Sequence, residues 1–247
     1  MKNNNTIPAL NKAIKMLEYL GQTENGVSQV ELAESFDITP STCYRILQTL
    51  LAHNWVCQKP GNLYDISNGI LNATTKLINN TARFECLQPI LEELAKNTGL
   101  SCKLSIRQAD KQITILRAES PAPMSISGKI GVRFPIVEGS TGTALLCDEA
   151  MEEIQCLLNN CLDDIEEKKS PELINKRLDN LKEDGFCMNA QQNRWNVESM
   201  AAPIRDKNGK VIAAITSLGF IDDFAEQNIK ALAKNLKKAT LESSKII

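Results

Sequence analysis

Few residues in this chain are equipped for bond-making chemistry, and their spacing narrows what they can do. There is one histidine, His53, so a Ser-His-Asp or Cys-His site would have to be built on that residue alone. Eight cysteines stand at positions 43, 57, 86, 102, 147, 156, 161 and 187, with no C-x-x-C pair and no zinc-cluster spacing. They read as reduced thiols packed like small hydrophobes, and neither a metal nor a cofactor is expected. Cys156 and Cys161 lie five residues apart, but Glu152, Glu153, Asp163 and Asp164 around them disfavour a reactive thiolate. The groups that remain are suited to recognition. Hydroxyls, an amide and an arginine gather in P-S-T-C-Y-R-I-L-Q-T-L at 40–50.

That stretch needs a scaffold, and the flanking sequence supplies one. Residues 10–20 carry Ala13, Ile14, Leu17 and Leu20 on one helical stripe, with Lys12, Lys15 and Glu18 opposite. After a break at 21–26, Ser28 and Glu31 have the spacing of a capping box for a second helix, with Val30, Ala33 and Phe36 facing inward. Thr39 suits an N-cap and Pro40 the first position of a third helix, whose apolar set is Cys43, Ile46, Leu47 and Leu50. Two β-prone runs, 55–58 and 63–66, flank the turn Lys59-Pro60-Gly61-Asn62. Three helices and a hairpin describe a winged helix-turn-helix. Its third helix presents Ser41, Thr42, Tyr44, Arg45 and Gln48 to the major groove of double-stranded DNA, and Lys59 at the wing tip is placed to meet a phosphate.

The charge balance qualifies this expectation. The chain has 28 basic and 30 acidic residues, so nothing global recruits nucleic acid. Residues 1–66 hold five cations, Lys2, Lys12, Lys15, Arg45 and Lys59, against six acids. Counterion release from so few cations is small, so useful affinity requires two or more heads engaged together.

At 247 residues the chain is long enough for a small head and a larger body. The expected division is a DNA-binding domain at 1–66, a linker helix at 67–82 carrying Ile70, Leu71, Leu77 and Ile78, and a larger mixed body at 83–247. The body opens with a helix from Arg83 to a Gly99 cap. Strands follow at 100–107 and 112–117, then a Gly-punctuated loop or strand at 125–134. Helices are expected at 141–147, 149–158 and 171–184, strands at 186–190, 200–205 and 211–218, and a last amphipathic helix. The fold class is α+β, with helices flanking an antiparallel sheet. No run approaches the roughly 18 uncharged residues of a membrane span, so the protein is expected to be soluble and cytoplasmic.

Several blocks together resemble the isocitrate lyase regulator (IclR) family of bacterial transcription regulators: the 40–50 segment, Y-D-I at 64–66, the helix ending L-A-K-N-T-G at Gly99, G-S-T-G-T-A-L-L at 139–146, and M-A-A-P-I-R-D-K-N-G-K-V at 200–211. The resemblance implies that 83–247 is a GAF-like effector-binding and oligomerisation domain, that the protein is a homodimer or dimer of dimers, and that a small organic or aromatic acid is the effector. Carried over by position, the effector site comprises Ser140, Thr141, Asn189, Ser199 and Thr216. Here Asn189 stands where an acid is common, Leu218 where a small hydroxyl residue is frequent, Thr143 where Lys is usual, and Gln191, Gln192 and Asn193 replace an acidic pair and its neighbour. These departures imply a less charged, more apolar rim. The competing reading is a small-molecule enzyme or binding protein whose winged helix serves dimerisation or protein docking.

Overall fold

A computed structural model describes residues 6–189 and 197–247, without the side chains of 76–81. The chain divides into two compact units, Met1–Asn80 and Thr81–Ile247.

The first unit is built from α1 (Pro8–Leu20), β1 (Val27–Ser28), α2 (Gln29–Ser35), α3 (Pro40–Ala52), β2 (Val56–Lys59), β3 (Leu63–Ile66) and all but the last two residues of α4 (Ile70–Ala82). In α1 the inner stripe is Ala13, Met16, Leu17 and Leu20, while Ile14 is exposed. Those four follow i, i+3, i+4, i+7 more closely than a stripe through Ile14, so Met16 takes the core position. In α2 the same spacing buries Leu32 with Ala33 and leaves Val30 outside; Phe36 packs edge-on against Tyr19. Ser28 caps α2 by accepting from the Glu31 N–H. The Glu31 carboxylate accepts from the Tyr19 hydroxyl, so it ties α1 to α2 in place of completing a capping box. Thr39 caps α3 through the Thr42 N–H, Pro40 opens it, and Cys43, Ile46, Leu47 and Leu50 are all buried. The expected hairpin is a three-stranded antiparallel sheet of order β1-β3-β2, since Val27 pairs with Tyr64. Helix α4 falls within the 67–82 segment, where a helix is expected, and the side chains of Leu77 and Ile78 lie outside those described.

The second unit begins with a 3-10 turn, Glu85–Leu87, and α5 (Gln88–Thr98). The helix expected from Arg83 starts late because Pro89 has no N–H to extend an earlier turn. Gly99, in the left-handed region at φ 72°, ends it. Then come β4 (Ser101–Gln108), β5 (Lys111–Ala118), β6 (Arg133–Pro135), α6 (Gly139–Leu146), α7 (Met151–Asn160), α8 (Glu166–Lys169), α9 (Glu172–Asp184), β7 (Cys187–Met188), β8 (Val197–Arg205), β9 (Val211–Phe220) and α10 (Glu226–Ile246). Of the 125–134 segment only its end is a strand, Ala190 of the expected 186–190 strand lies outside the described residues, and the short α8 has no counterpart in the sequence reading.

Six strands form one antiparallel sheet of order β6-β5-β4-β9-β8-β7. Alternation along its strands makes two faces. One carries Cys102, Leu104, Met200, Ala202, Ile204, Ala213 and Ile215 against α5 and α10. The other carries Ala201 and Ala214 beneath α6, with Ile154 of α7 and Ile174, Leu178 and Leu181 of α9 behind. The unit is thus α+β with helices on both faces of a GAF-like sheet. No helix among the described residues is long and apolar enough to cross a membrane.

Helix α6 lies close to the backbone that leads into it. A Cβ placed on Gly142 would stand 2.0 Å from the Ile136 carbonyl oxygen, a contact that a side-chain rotation cannot relieve. Gly142→Ala is therefore expected to lower the stability of the second unit by about 2 kcal/mol, read as an earlier urea midpoint with an unchanged slope. An unshifted midpoint would show that α6 has room to move.

Candidate functional site

Two surfaces gather the residues singled out by sequence. In the first unit the apolar stripe of α3 faces its core, which turns the opposite face outward. Ser41, Tyr44, Arg45 and Gln48 are exposed there, and Thr42 is half-buried at the helix start with its hydroxyl 2.9 Å from that of Thr39. The backbone of this helix is braced by Gln29, whose amide donates to the Pro40 carbonyl. The result is a rigid polar row with one guanidinium, the form needed to reach base edges and phosphates. Lys59 is different: its ammonium is ion-paired with Asp65 across the wing. Its charge is already answered within the hairpin, which weakens it as a phosphate contact.

In the second unit a cavity of about 900 Å³ opens on the α6 side of the sheet. Thr141 from α6, Ser199 from β8 and Thr216 from β9 line it, with Lys103, Phe134, Ile126 and Leu218. Strand register explains the grouping: Thr216 pairs with Ala201 on β8 and with Lys103 on β4, and Ser199 pairs with Leu218. Paired residues in an antiparallel ladder point to the same face. The hydroxyls are coupled across the helix–sheet boundary, Thr141 to Thr216 and Ser140 to Ser199, each at 2.8 Å.

Ser140 and Asn189 do not line the cavity. Ser140 supports Ser199 from behind, and the Asn189 side-chain oxygen accepts from Arg177 at 2.7 Å. Arg177 also meets Glu167 at 2.8 Å, both almost fully buried, and the same Glu167 oxygen accepts the Gly139 N–H at the start of α6. The first N–H of that helix is therefore held by a protein carboxylate and is not open to a ligand. Thr143 turns its hydroxyl back to the Gly139 carbonyl within the helix.

The rim also departs from the sequence reading. Lys103, Lys111, Arg133, Glu138, Asp163 and Asp164 all border the cavity, so it is not poor in charge; the substitutions were read without the residues that β4, β5 and the 163–164 turn bring in. Gln191, Gln192 and Asn193 lie outside the described residues. Glu167, Arg177 and Lys103 carried no local signal. Glu167 sits in an E-E-K-K run resembling a solvated turn, and its burial depends on α9 packing over it.

Glu198, beside Ser199, is buried, and its carboxylate accepts the Ser199 N–H at 2.8 Å. Burial pushes this carboxyl up to about 7 from an ordinary value of 4.5, against the opposing pull of backbone hydrogen bonds and Arg177. A folded state that holds a proton which the unfolded chain releases is favoured below that window and loses the advantage as pH rises through it. The second unit should lose stability between about pH 4.5 and 7, at no more than about 1.4 kcal/mol per pH unit from this group. Glu198→Gln should flatten that part of the stability profile in urea titrations. An unchanged profile would assign the dependence elsewhere.

Comparison with known proteins agrees over nearly the whole chain. The IclR helix-turn-helix domain matches residues 9–60, and the bacterial transcriptional regulator IclR C-terminal domain matches residues 75–245. The HTH-type transcriptional repressor AllR of Salmonella typhimurium strain LT2 is 25% identical over 215 residues, covering 85% of this chain and 79% of that protein. AllR of Escherichia coli K12 is 24% identical over 217 residues with the same coverage. Among solved structures, an IclR homolog from Microbacterium hydrocarbonoxydans complexed with 4-hydroxybenzoate superposes with a TM-score of 0.77 at 15% identity, covering 96% of this chain and 98% of that one. The Thermotoga maritima IclR gives 0.73 at 19% identity, covering 96% and 97%.

Proposed function

Because the chain belongs to the IclR family of bacterial transcriptional regulators, we propose that it is a ligand-controlled repressor whose second unit takes a small organic or aromatic acid and whose paired heads hold an operator. The observation that carries this reading is the cavity in which Thr141, Ser199 and Thr216 converge from three elements onto one sheet face. Repression follows the relatives named transcriptional repressors, and an aromatic acid follows the neighbour that holds 4-hydroxybenzoate. Arg45 is the principal base or phosphate contact, assisted by Ser41, Thr42, Tyr44 and Gln48, with Lys59 a minor one. Ser199, Thr141 and Thr216 contact the effector, while Ser140 and Asn189 hold the wall in place. A head with so few cations acts as part of a homodimer or a dimer of dimers, which raises affinity without new contacts per head.

The mechanism is linkage. A ligand changes DNA affinity only by its different affinity for the DNA-competent and DNA-incompetent arrangements of the heads. The enzyme alternative fails on the comparisons, which join the chain to regulators along both of its units.

Fluorescence anisotropy of the full chain with the duplex upstream of its own gene tests the reading. Wild type should bind, Arg45→Ala should weaken binding roughly tenfold or more, and Lys59→Ala should cost about threefold or less because Asp65 already holds that charge. Absence of binding at low salt, or an Arg45→Ala protein that binds like wild type, would refute it.

A further inference from the structure

Lys103 stands in β4 with Thr216 of β9 on one side and Arg117 of β5 on the other. It rises from the same sheet face as Thr216 and lines the cavity. Its ammonium lies 5.4 Å from the centre of the Phe134 ring. The loop before β6 closes over its stem, with a Cβ on Gly128 falling 3.4 Å from the Lys103 Cδ. The side chain is half-buried, and burial pulls its ammonium down to about 8.

Two of the three acids at this rim are engaged elsewhere. Asp163 pairs with Lys111 at 2.8 Å, and Asp164 reaches Lys169 at 3.5 Å. Glu138 acts on Lys103 through space but makes no ion pair with it among the described residues. A partly desolvated cation that has only a through-space carboxylate and no ion pair is one that an incoming anion can stabilise. The hydroxyl pairs opposite are neutral and already satisfy one another, so they supply hydrogen bonds and no charge.

The geometry points to Lys103 as the counter-charge of the effector: the cavity takes a small carboxylate whose anionic end meets Lys103 and whose apolar body lies between Phe134, Ile126 and Leu218. This rests on the reading of the cavity as the effector site, and it names the residue by which this chain selects a charged ligand over a neutral one.

Isothermal titration of the full chain at pH 7 with 4-hydroxybenzoate and with 4-hydroxybenzamide, equal in shape but uncharged, tests it. Wild type should bind the acid about tenfold or more tightly than the amide, the scale of one charge-assisted contact. Lys103→Met should lose the acid by a similar factor while the amide moves by about threefold or less, and Lys103→Arg should keep the preference. Unchanged affinity of unliganded Lys103→Met for DNA would show that the variant is folded. Retention of the acid preference in Lys103→Met would overturn the assignment to Lys103 and leave the cavity reading standing. Failure of wild type to bind either probe, or benzoate or pyruvate, would overturn both.

Discussion

Behind the cavity a carboxylate and a guanidinium meet almost wholly out of water, Glu167 from α8 and Arg177 from α9. Neither charge is tolerable there alone, since removing one partner of such a pair typically costs about 3–5 kcal/mol. Their remaining bonds go to the first N–H of α6 and to Asn189 at the end of β7. One ion pair thus joins four segments: the helix start that carries Ser140 and Thr141, α8, α9, and Asn189 at the end of β7. The hydroxyl pairs on the cavity wall meet at 2.8 Å because the helix that carries half of each is held at this point.

The sheet separates two tasks by the simplest periodicity available to a strand. Met200, Ala202 and Ile204 of β8 and Ala213 and Ile215 of β9 pack into a mainly apolar layer with α5 and α10, in which Ser217 is a buried polar member bonded to Cys102. The residues between them face α6 and include the polar wall. The packed layer and the cavity wall therefore share strands without sharing positions, so a wall residue can be exchanged for another without opening the core. The same alternation lets Lys103 stand in a strand whose neighbours Cys102 and Leu104 are fully buried.

Legibility in the sequence followed distance along the chain. Helix α3 and its polar row could be read because cap, first-turn proline and apolar spacing lie within thirteen residues. The stripe of α1 was misplaced because two overlapping stripes, through Ile14 or through Met16, compete in one helix and only packing decides between them. Thr141, Ser199 and Thr216 were located by family resemblance; nothing in their spacing, up to 75 residues apart, brings them together. Glu167, Arg177 and Lys103 escaped both routes. Their roles come from burial and from partners supplied by other elements, and a charged residue in a polar run or a lysine in a strand looks like ordinary surface.

The most direct test of a cavity that governs the heads is reciprocity. If acid and DNA act on the same equilibrium, the factor by which the acid changes DNA affinity must equal the factor by which DNA changes acid affinity. Titrating 4-hydroxybenzoate into the full chain, free and then saturated with its upstream duplex, should give two affinities that differ about fivefold or more, matching the shift seen when DNA is titrated with and without the acid. Equal acid affinities in the two titrations would contradict control of DNA binding through this cavity.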